Sequence, residues 1–333
     1  MPPFIIHKMR IPGLTPRNLR ISISFIVLVA LVIFLITFSK DTLIALRKIN
    51  PVYFILLFIA WLIYAVFDGL KLKFLALSVG EENLGLFSAI KTIQIGIFLA
   101  AVVPFQVAGL PVQIYILSRR GVSPGKGAAI LTMRGIVSYG VIVLAMIFAL
   151  KYIWPPESNI IRGVITYAVF VVIIVFIIYI VAILSPGIVP KFTKNEKIIK
   201  EFRILRETFL TFVKTSRKKE LLLALIFTII SFLALTTIPY LLSRALSNAI
   251  PYLNSFIFQT ILQGSLVFTP TPGGSGIAET AAYFLFRSSI KKEILGVFVI
   301  LWRFFTAYLT AIFGGIFLLR EINVSENQEI SQD

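Results

Sequence analysis

The stretch FTPTPGGSGIAET, Phe268–Thr280, decides how this chain is read. Two prolines (Pro270, Pro272), three glycines (Gly273, Gly274, Gly276) and one carboxylate, Glu279, interrupt a long apolar region there. Proline removes an amide donor and clashes with the preceding turn, and glycine permits dihedrals closed to other residues, so a helix breaks at this point. Lipid cannot satisfy the backbone groups a break exposes, and non-helical backbone at membrane depth is tolerated only inside protein or against a wet cavity. The composition agrees with a membrane setting. The 333-residue chain is 58% hydrophobic and 14% charged, with a mean hydropathy of +0.95, far from the roughly one-quarter charged residues of a soluble domain. Apolar runs at 21–38, 52–69, 128–150, 163–184, 221–243 and 294–319 predict about six full spans of an all-α polytopic membrane protein.

Two further apolar regions, 89–118 and 255–286, are interrupted near their middles. In the first the interruption is VPFQVAGLP, Val103–Pro111, with Pro104, Gly109 and Pro111 as breakers; in the second it is the stretch quoted above. Each half is too short for the ~30 Å hydrocarbon core, which predicts either one kinked span or a re-entrant hairpin. Charge decides the first region. With residues 1–20 as a cytoplasmic tail and both regions re-entrant, 22 Lys and Arg fall inside and 9 outside; letting 89–118 cross reverses the balance to 13 against 18. The positive-inside rule therefore favours a hairpin. For the second region charge does not discriminate, and symmetry favours the hairpin. Residues 21–150 and 160–320 then form an inverted repeat with oppositely oriented hairpins in corresponding positions, and Gln113 follows Pro104 by the same nine residues that separate Glu279 from Pro270. Paired interruptions of this kind are the sequence pointer to a transporter's substrate site.

The remaining segments narrow the function further. Net charge is +17, but the basic residues gather in short loops, where topology and anionic headgroups account for them without nucleic acid. No cysteine is present and the single histidine, His7, stands alone in the N-terminal tail, so no metal site is expected. Lys8, Arg10, Arg17 and Arg20 before 21–38 resemble a signal sequence, yet TFSKDTL offers no small-residue cleavage site, which favours an uncleaved span. Residues 191–219 place Ile198, Phe202, Leu205, Phe209 and Phe212 on one stripe amid basic residues, predicting an amphipathic helix on the cytoplasmic surface. The polar segment 321–333 predicts a disordered tail. No nucleotide loop, nucleophile elbow or zinc-binding helix occurs, so neither a cofactor nor an enzymatic activity is expected.

The break itself is the candidate site. Its second half-helix starts near Ser275 or Gly276, with unpaired amides and a positive dipole end suited to a phosphate or carboxylate. Glu279, in the first turn, reads either as one half of an internal pair with Arg303 or as a group that handles substrate or protons. Arg134 lies near the start of another span, and Asp68 beside Lys71 and Lys73 reads as an interfacial ion pair.

Together these motifs resemble the flippase-like transmembrane domain of lysylphosphatidylglycerol synthases, the multiple peptide resistance factor family, and its stand-alone relatives. The pattern P-x-P-G-G-x-G-x-x-E is intact from Pro270 through Glu279, and Arg303 matches the family's late arginine. Of the first motif, Pro104, Gly109, Tyr115, Leu117, Arg119 and Gly121 are kept, while Leu110 and Gln113 stand where charged residues are usual; in the glutamate–arginine pair that follows it, Met133 replaces the acid before Arg134. The expected substrate-contact set is Gly273, Gly274, Ser275, Gly276, Glu279 and Arg303 with Gln113, Arg119 and Arg134. The resemblance implies movement of a polar-headed lipid between leaflets; the helix end suits a phosphate on that lipid, the charge balance places both termini in the cytoplasm, and lipids of the plasma membrane are the expected partners. Aminoacyl transfer is not implied, since it belongs to a separate soluble domain of the family. An ion-coupled small-solute transporter and a non-transporting accessory of a membrane glycosyltransferase stand as alternatives. Homo-oligomerisation and a glycosyltransferase partner stay open.

Overall fold

The computed structural model of the protein describes residues 49–102, 109–152, 195–215, 217–266, 269 and 271–330, with isolated positions elsewhere. The run at 21–38 and all but isolated positions of 163–184 therefore lie outside the described residues, as do Pro104 and Pro270. Ten helices are described: α1 (Pro51–Ser78), α2 (Leu86–Val102), α3 (Gly109–Ser118), α4 (Pro124–Tyr152), α5 (Glu196–Lys214), α6 (Lys218–Ala245), α7 (Tyr252–Ser265), α8 (Ile277–Phe286), α9 (Lys292–Arg303) and α10 (Leu309–Ile330). A π-helical turn, Phe304–Tyr308, joins α9 to α10 without a break. Four of these units, α1, α4, α6 and the continuous α9–α10, are long and apolar enough to cross a membrane. Outward-facing Val52, Ile55, Ile59 and Leu62 on α1 and Leu222, Leu225, Ile226 and Ile229 on α6 are exposed, as lipid-facing positions would be.

Local chemistry sets the helix starts. Asn50 caps α1, its Oδ1 accepting from Val52 N at 3.0 Å, with Pro51 at the first helical position. The start of α4 is capped from another helix: Glu201 of α5 accepts Gly125 N at 2.7 Å. Along the stripe predicted for 191–219, Phe209 and Phe212 are buried while Ile198 is exposed.

Helices α1 and α6 run antiparallel and define the two ends of the bundle. At one end Asn50 N donates to Ala245 O (2.9 Å). At the other, Arg217 donates to Leu77 O (2.9 Å) and Thr215 to Ser78 O (3.1 Å). The interrupted regions are helical hairpins. Helix α3 returns alongside α2: Gly109 lies against Gly96 O and Ala100, and Gln113 lies directly on Gly96. The mouth of this hairpin is closed at the Ser78 end by Arg120 donating to Ser88 Oγ. Helix α8 likewise returns along α7, with the Phe258 and Phe286 rings 5.2 Å apart. Its mouth is closed at the Asn50 end, where Asn248 Nδ2 donates to Ser289 O (3.1 Å) and Lys291 N to Asn248 Oδ1 (3.3 Å). The two pairs of half-helices are thus closed at opposite ends of the bundle, and Gly273 meets Ala101: a Cβ on Gly273 would lie 3.1 Å from Ala101 O. The half-helices, of 17, 10, 14 and 10 residues, reach ~15–26 Å, short of the ~30 Å hydrocarbon core.

The segment after Arg320, expected to be disordered, continues α10 as far as Ile330. Its first residue has a reason to be ordered, because Glu321 pairs with Arg120 (2.9 Å) and Lys91 (3.5 Å) at the hairpin mouth.

The main core gathers α1, α6, α8 and α9 around Phe286, Phe298, Trp302 and Phe305. Two indoles there satisfy their N–H groups across helices, Trp61 to Thr310 Oγ1 (2.9 Å) and Trp302 to Gln259 Oε1 (2.6 Å). Helix α10 meets α2 through glycines, the close backbone approach common in membrane bundles. A Cβ on Gly314 would overlap the Gln94 carbonyl, whereas one on Gly315 meets only the edge of the Phe98 ring, at 3.3 Å. Gly314→Ala should therefore lower stability by about 1–3 kcal/mol. Gly315→Ala should be within about 1 kcal/mol of neutral, its small overlap offset by the better helix propensity of alanine. Thermal unfolding of the two purified variants checks the contrast.

Candidate functional site

At the second break the chain forms a tight 3-10 turn, Pro272–Gly274, and then enters α8 through Gly276. Gly273, Gly274 and Gly276 have φ of +58°, +72° and +85°, the left-handed region that favours glycine. Glu279 is buried at 2% exposure, and both its oxygens are occupied. Oε2 accepts Gly276 N at 2.7 Å, so the carboxylate caps its own helix. Oε1 accepts Arg303 Nε at 3.1 Å and the Tyr308 hydroxyl at 3.0 Å. Arg303 in turn donates to Gly273 O, gripping the broken backbone directly. The π-helical turn makes this convergence work. In an α-helix residues five apart point ~140° away from one another, but the wider turn with its i→i+5 hydrogen bonds brings Arg303 and Tyr308 to one carboxylate.

A second ionic cluster sits near the other end of the bundle. Asp68 was read as interfacial, but α1 runs on to Ser78, which places Asp68 ~15 Å inside that end. The residue is 2% exposed and pairs with Lys71, as expected, and with Arg134 in place of Lys73. Asp68 Oδ2 lies 2.5 Å from Arg134 Nη2, and Oδ1 lies 2.5 Å from Lys71 Nζ. Lys71 also donates to Ser138 Oγ at 2.8 Å. Arg134 Nε is buried without a hydrogen-bond partner.

Both clusters border one cavity of about 460 Å³. Its walls include Gly109, Leu110 and Gln113 of the first hairpin, Gly273 of the second, Asp68 and Lys71 of α1, Arg134, Ser138 and Tyr139 of α4, and Arg303. Of the residues expected at the site, the fold brings Gly273, Arg303, Arg134, Gln113 and Gly109 to this cavity. Gly274, Ser275, Gly276 and Glu279 sit behind the wall, and the helix end expected to receive an anion is taken by Glu279's own carboxylate. Arg119 is exposed at the hairpin mouth, remote from the cavity. Pro272 opens the 3-10 turn, and Pro111 falls in the first turn of α3, where a missing amide costs little. Sequence reading missed Asp68, Lys71, Tyr64, Ser138 and Tyr139 as cavity residues. The signal that could have found them is Leu72, Leu75 and Ala76, whose helical spacing resumes after the charges and puts Asp68 within the span. Among the described residues no group of three His, Cys, Asp or Glu is placed to hold a metal ion.

Comparison with known proteins agrees with this architecture. The family described as the lysylphosphatidylglycerol synthase transmembrane region matches residues 21–314. A UPF0104 membrane protein of Archaeoglobus fulgidus is 26% identical over 321 residues, covering 89% of this chain and 94% of that protein. No solved structure matches. The chain belongs to the lysylphosphatidylglycerol synthase transmembrane family, a flippase-like lipid-transport family, and residues 21–314 carry the match.

Glu279→Gln would strand Arg303 as a buried cation and turn an amide toward donors, so a stability loss of about 3–5 kcal/mol is expected. Tyr308→Phe removes one hydrogen bond to a charged acceptor and should cost about 1–3 kcal/mol. Thermal unfolding in detergent would show that ranking, and equal stability of Glu279→Gln and the native protein would refute the anchoring role.

Proposed function

We propose that this protein moves a phosphate-bearing, polar-headed lipid between the leaflets, the headgroup crossing through the cavity between the hairpin tips while the chains stay in surrounding lipid. The observation that carries this reading is the cavity wall. Lys71, Arg134 and Arg303 contribute to it, and Asp68 is the one acid among the described lining residues. A buried surface with that balance favours an anion over a cation. Ordered backbone from both broken helices borders the same space, as expected where two halves of a transporter share a substrate site. The hairpins are taken as re-entrant from opposite faces, the halves 21–150 and 160–320 as an inverted repeat, and the Ser78 end, with the basic residues of α5, as cytoplasmic. The transport reading involves no chemistry on the lipid and no cofactor.

This assignment shifts the expected role of Glu279 from contact to support. Gly273 and Arg303 face the path, while Glu279 fixes Arg303 and the turn beneath it. A small-solute transporter is the second reading, supported by the volume of about 460 Å³, which falls within the size range of small-ligand sites.

Leaflet exchange of labelled phospholipids and polyprenyl phosphates in proteoliposomes tests the proposal. Native protein should accelerate exchange, and Arg134→Gln should slow it by ~10-fold or more, the size expected when a buried charge contact to substrate is lost. Absence of exchange by folded native protein with every lipid would sink the flippase reading and favour the solute transporter.

A further inference from the structure

We propose, building on the transport reading above, that Lys71 and Arg134 form the seat for the substrate's phosphate and that Asp68 competes with the phosphate for it. The two ionic clusters beside the cavity differ in their balance. At the hairpin tip one acid, Glu279, meets one cation, Arg303, and the carboxylate's acceptors are filled by Arg303, Tyr308 and Gly276 N. That pair is matched one to one and carries no surplus of positive charge. In the second cluster two cations share one acid, for Lys71 and Arg134 both contact Asp68. A purely structural ion cluster at this depth would be balanced, because a surplus buried charge carries a desolvation penalty. Here the surplus is positive.

Geometry makes Asp68 a phosphate mimic. Its two oxygens are divided between the two cations, each at 2.5 Å, as two oxygens of a phosphate would be divided between an ammonium and a guanidinium. The donors are not exhausted. Arg134 Nε is buried without a partner, and Lys71, Arg134, Ser138 and Tyr139 all border the cavity, where Tyr64 and Gln113 add polar groups for the rest of a headgroup. The phosphate therefore binds ~15 Å inside the Ser78 end, at the cations of α1 and α4, and not at the glycine turn. Asp68 holds both cations in place and yields them to the ligand's oxygens.

The test is a double-mutant cycle on the purified full chain, with isothermal titration of geranyl monophosphate as the lipid phosphate and inorganic phosphate as the free anion. Lys71→Gln leaves Arg134 fully matched by Asp68 and should weaken geranyl monophosphate binding by ~10-fold or more. Asp68→Asn alone should tighten binding by about tenfold, the effect of removing one like charge beside an anion. That variant leaves two buried cations unmatched, so the deciding protein is the double variant Asp68→Asn with Lys71→Gln, in which the surplus of one positive charge is restored. Its binding should recover to within about threefold of native, with each variant eluting as the native protein does. A double variant that binds no better than Lys71→Gln overturns the competition and makes Asp68 a structural anchor. Native protein that binds neither probe overturns this proposal, while leaflet exchange of the labelled lipids judges the transport reading by itself. Inorganic phosphate bound as tightly as geranyl monophosphate overturns the lipid reading alone, and the same cycle run with phosphate then judges the competition.

Discussion

A helix broken at membrane depth leaves carbonyls and amides that lipid cannot satisfy, and at the second hairpin one guanidinium answers that demand. Arg303 holds the Gly273 carbonyl with one nitrogen and Glu279 with another, while Glu279 returns to the Gly276 amide. Backbone, cation and carboxylate close a loop in which every charge has an opposite and the break is stitched to the last span. The hairpin tip can then press on Ala101 of the first hairpin, which sets the meeting point of the two broken elements. The cavity exists where it does because that contact holds the tips together.

The two ionic clusters illustrate opposite uses of buried charge. Around Glu279 the donors are satisfied, which rigidifies a local geometry that glycine alone would leave loose. Around Asp68 the acid is outnumbered, and a guanidinium nitrogen faces no partner. Saturation suits a scaffold, and surplus suits a site whose ligand brings the missing charge. The chain belongs to the lysylphosphatidylglycerol synthase transmembrane family, and in it the glycine-rich motif is proposed to serve as architecture beside the cavity. The chemistry of binding is proposed to rest on cations from other helices.

Much of the architecture was legible from residue order. The spans at 52–69, 128–150, 221–243 and 294–319 correspond to α1, α4, α6 and α9–α10, because apolar length is a one-dimensional property set by bilayer thickness. Both interruptions were visible for a similar reason, since proline and glycine act on their own backbone. Asp68 was misplaced because the apolar run was ended at the first charge, although Leu72 and Leu75 carry the same helix onward into the core. Arg119 was included on motif position alone, and the end of α3 turns it to the surface.

What the sequence determined by itself was the membrane class, the location of the breaks and the pairing of Glu279 with Arg303 as one of two readings. These follow from local backbone chemistry and from the cost of leaving a charge in lipid. Only the tertiary structure decided that Glu279 caps its own helix, that Tyr308 joins it through a π-helical turn, and that Asp68 is shared by Lys71 and Arg134. Each depends on which side chains from distant segments converge, on helix register and on depth within the bundle. Partners separated by 66 residues, as Asp68 and Arg134 are, leave no mark in local pattern, because their attraction acts only once packing has brought the two helices side by side.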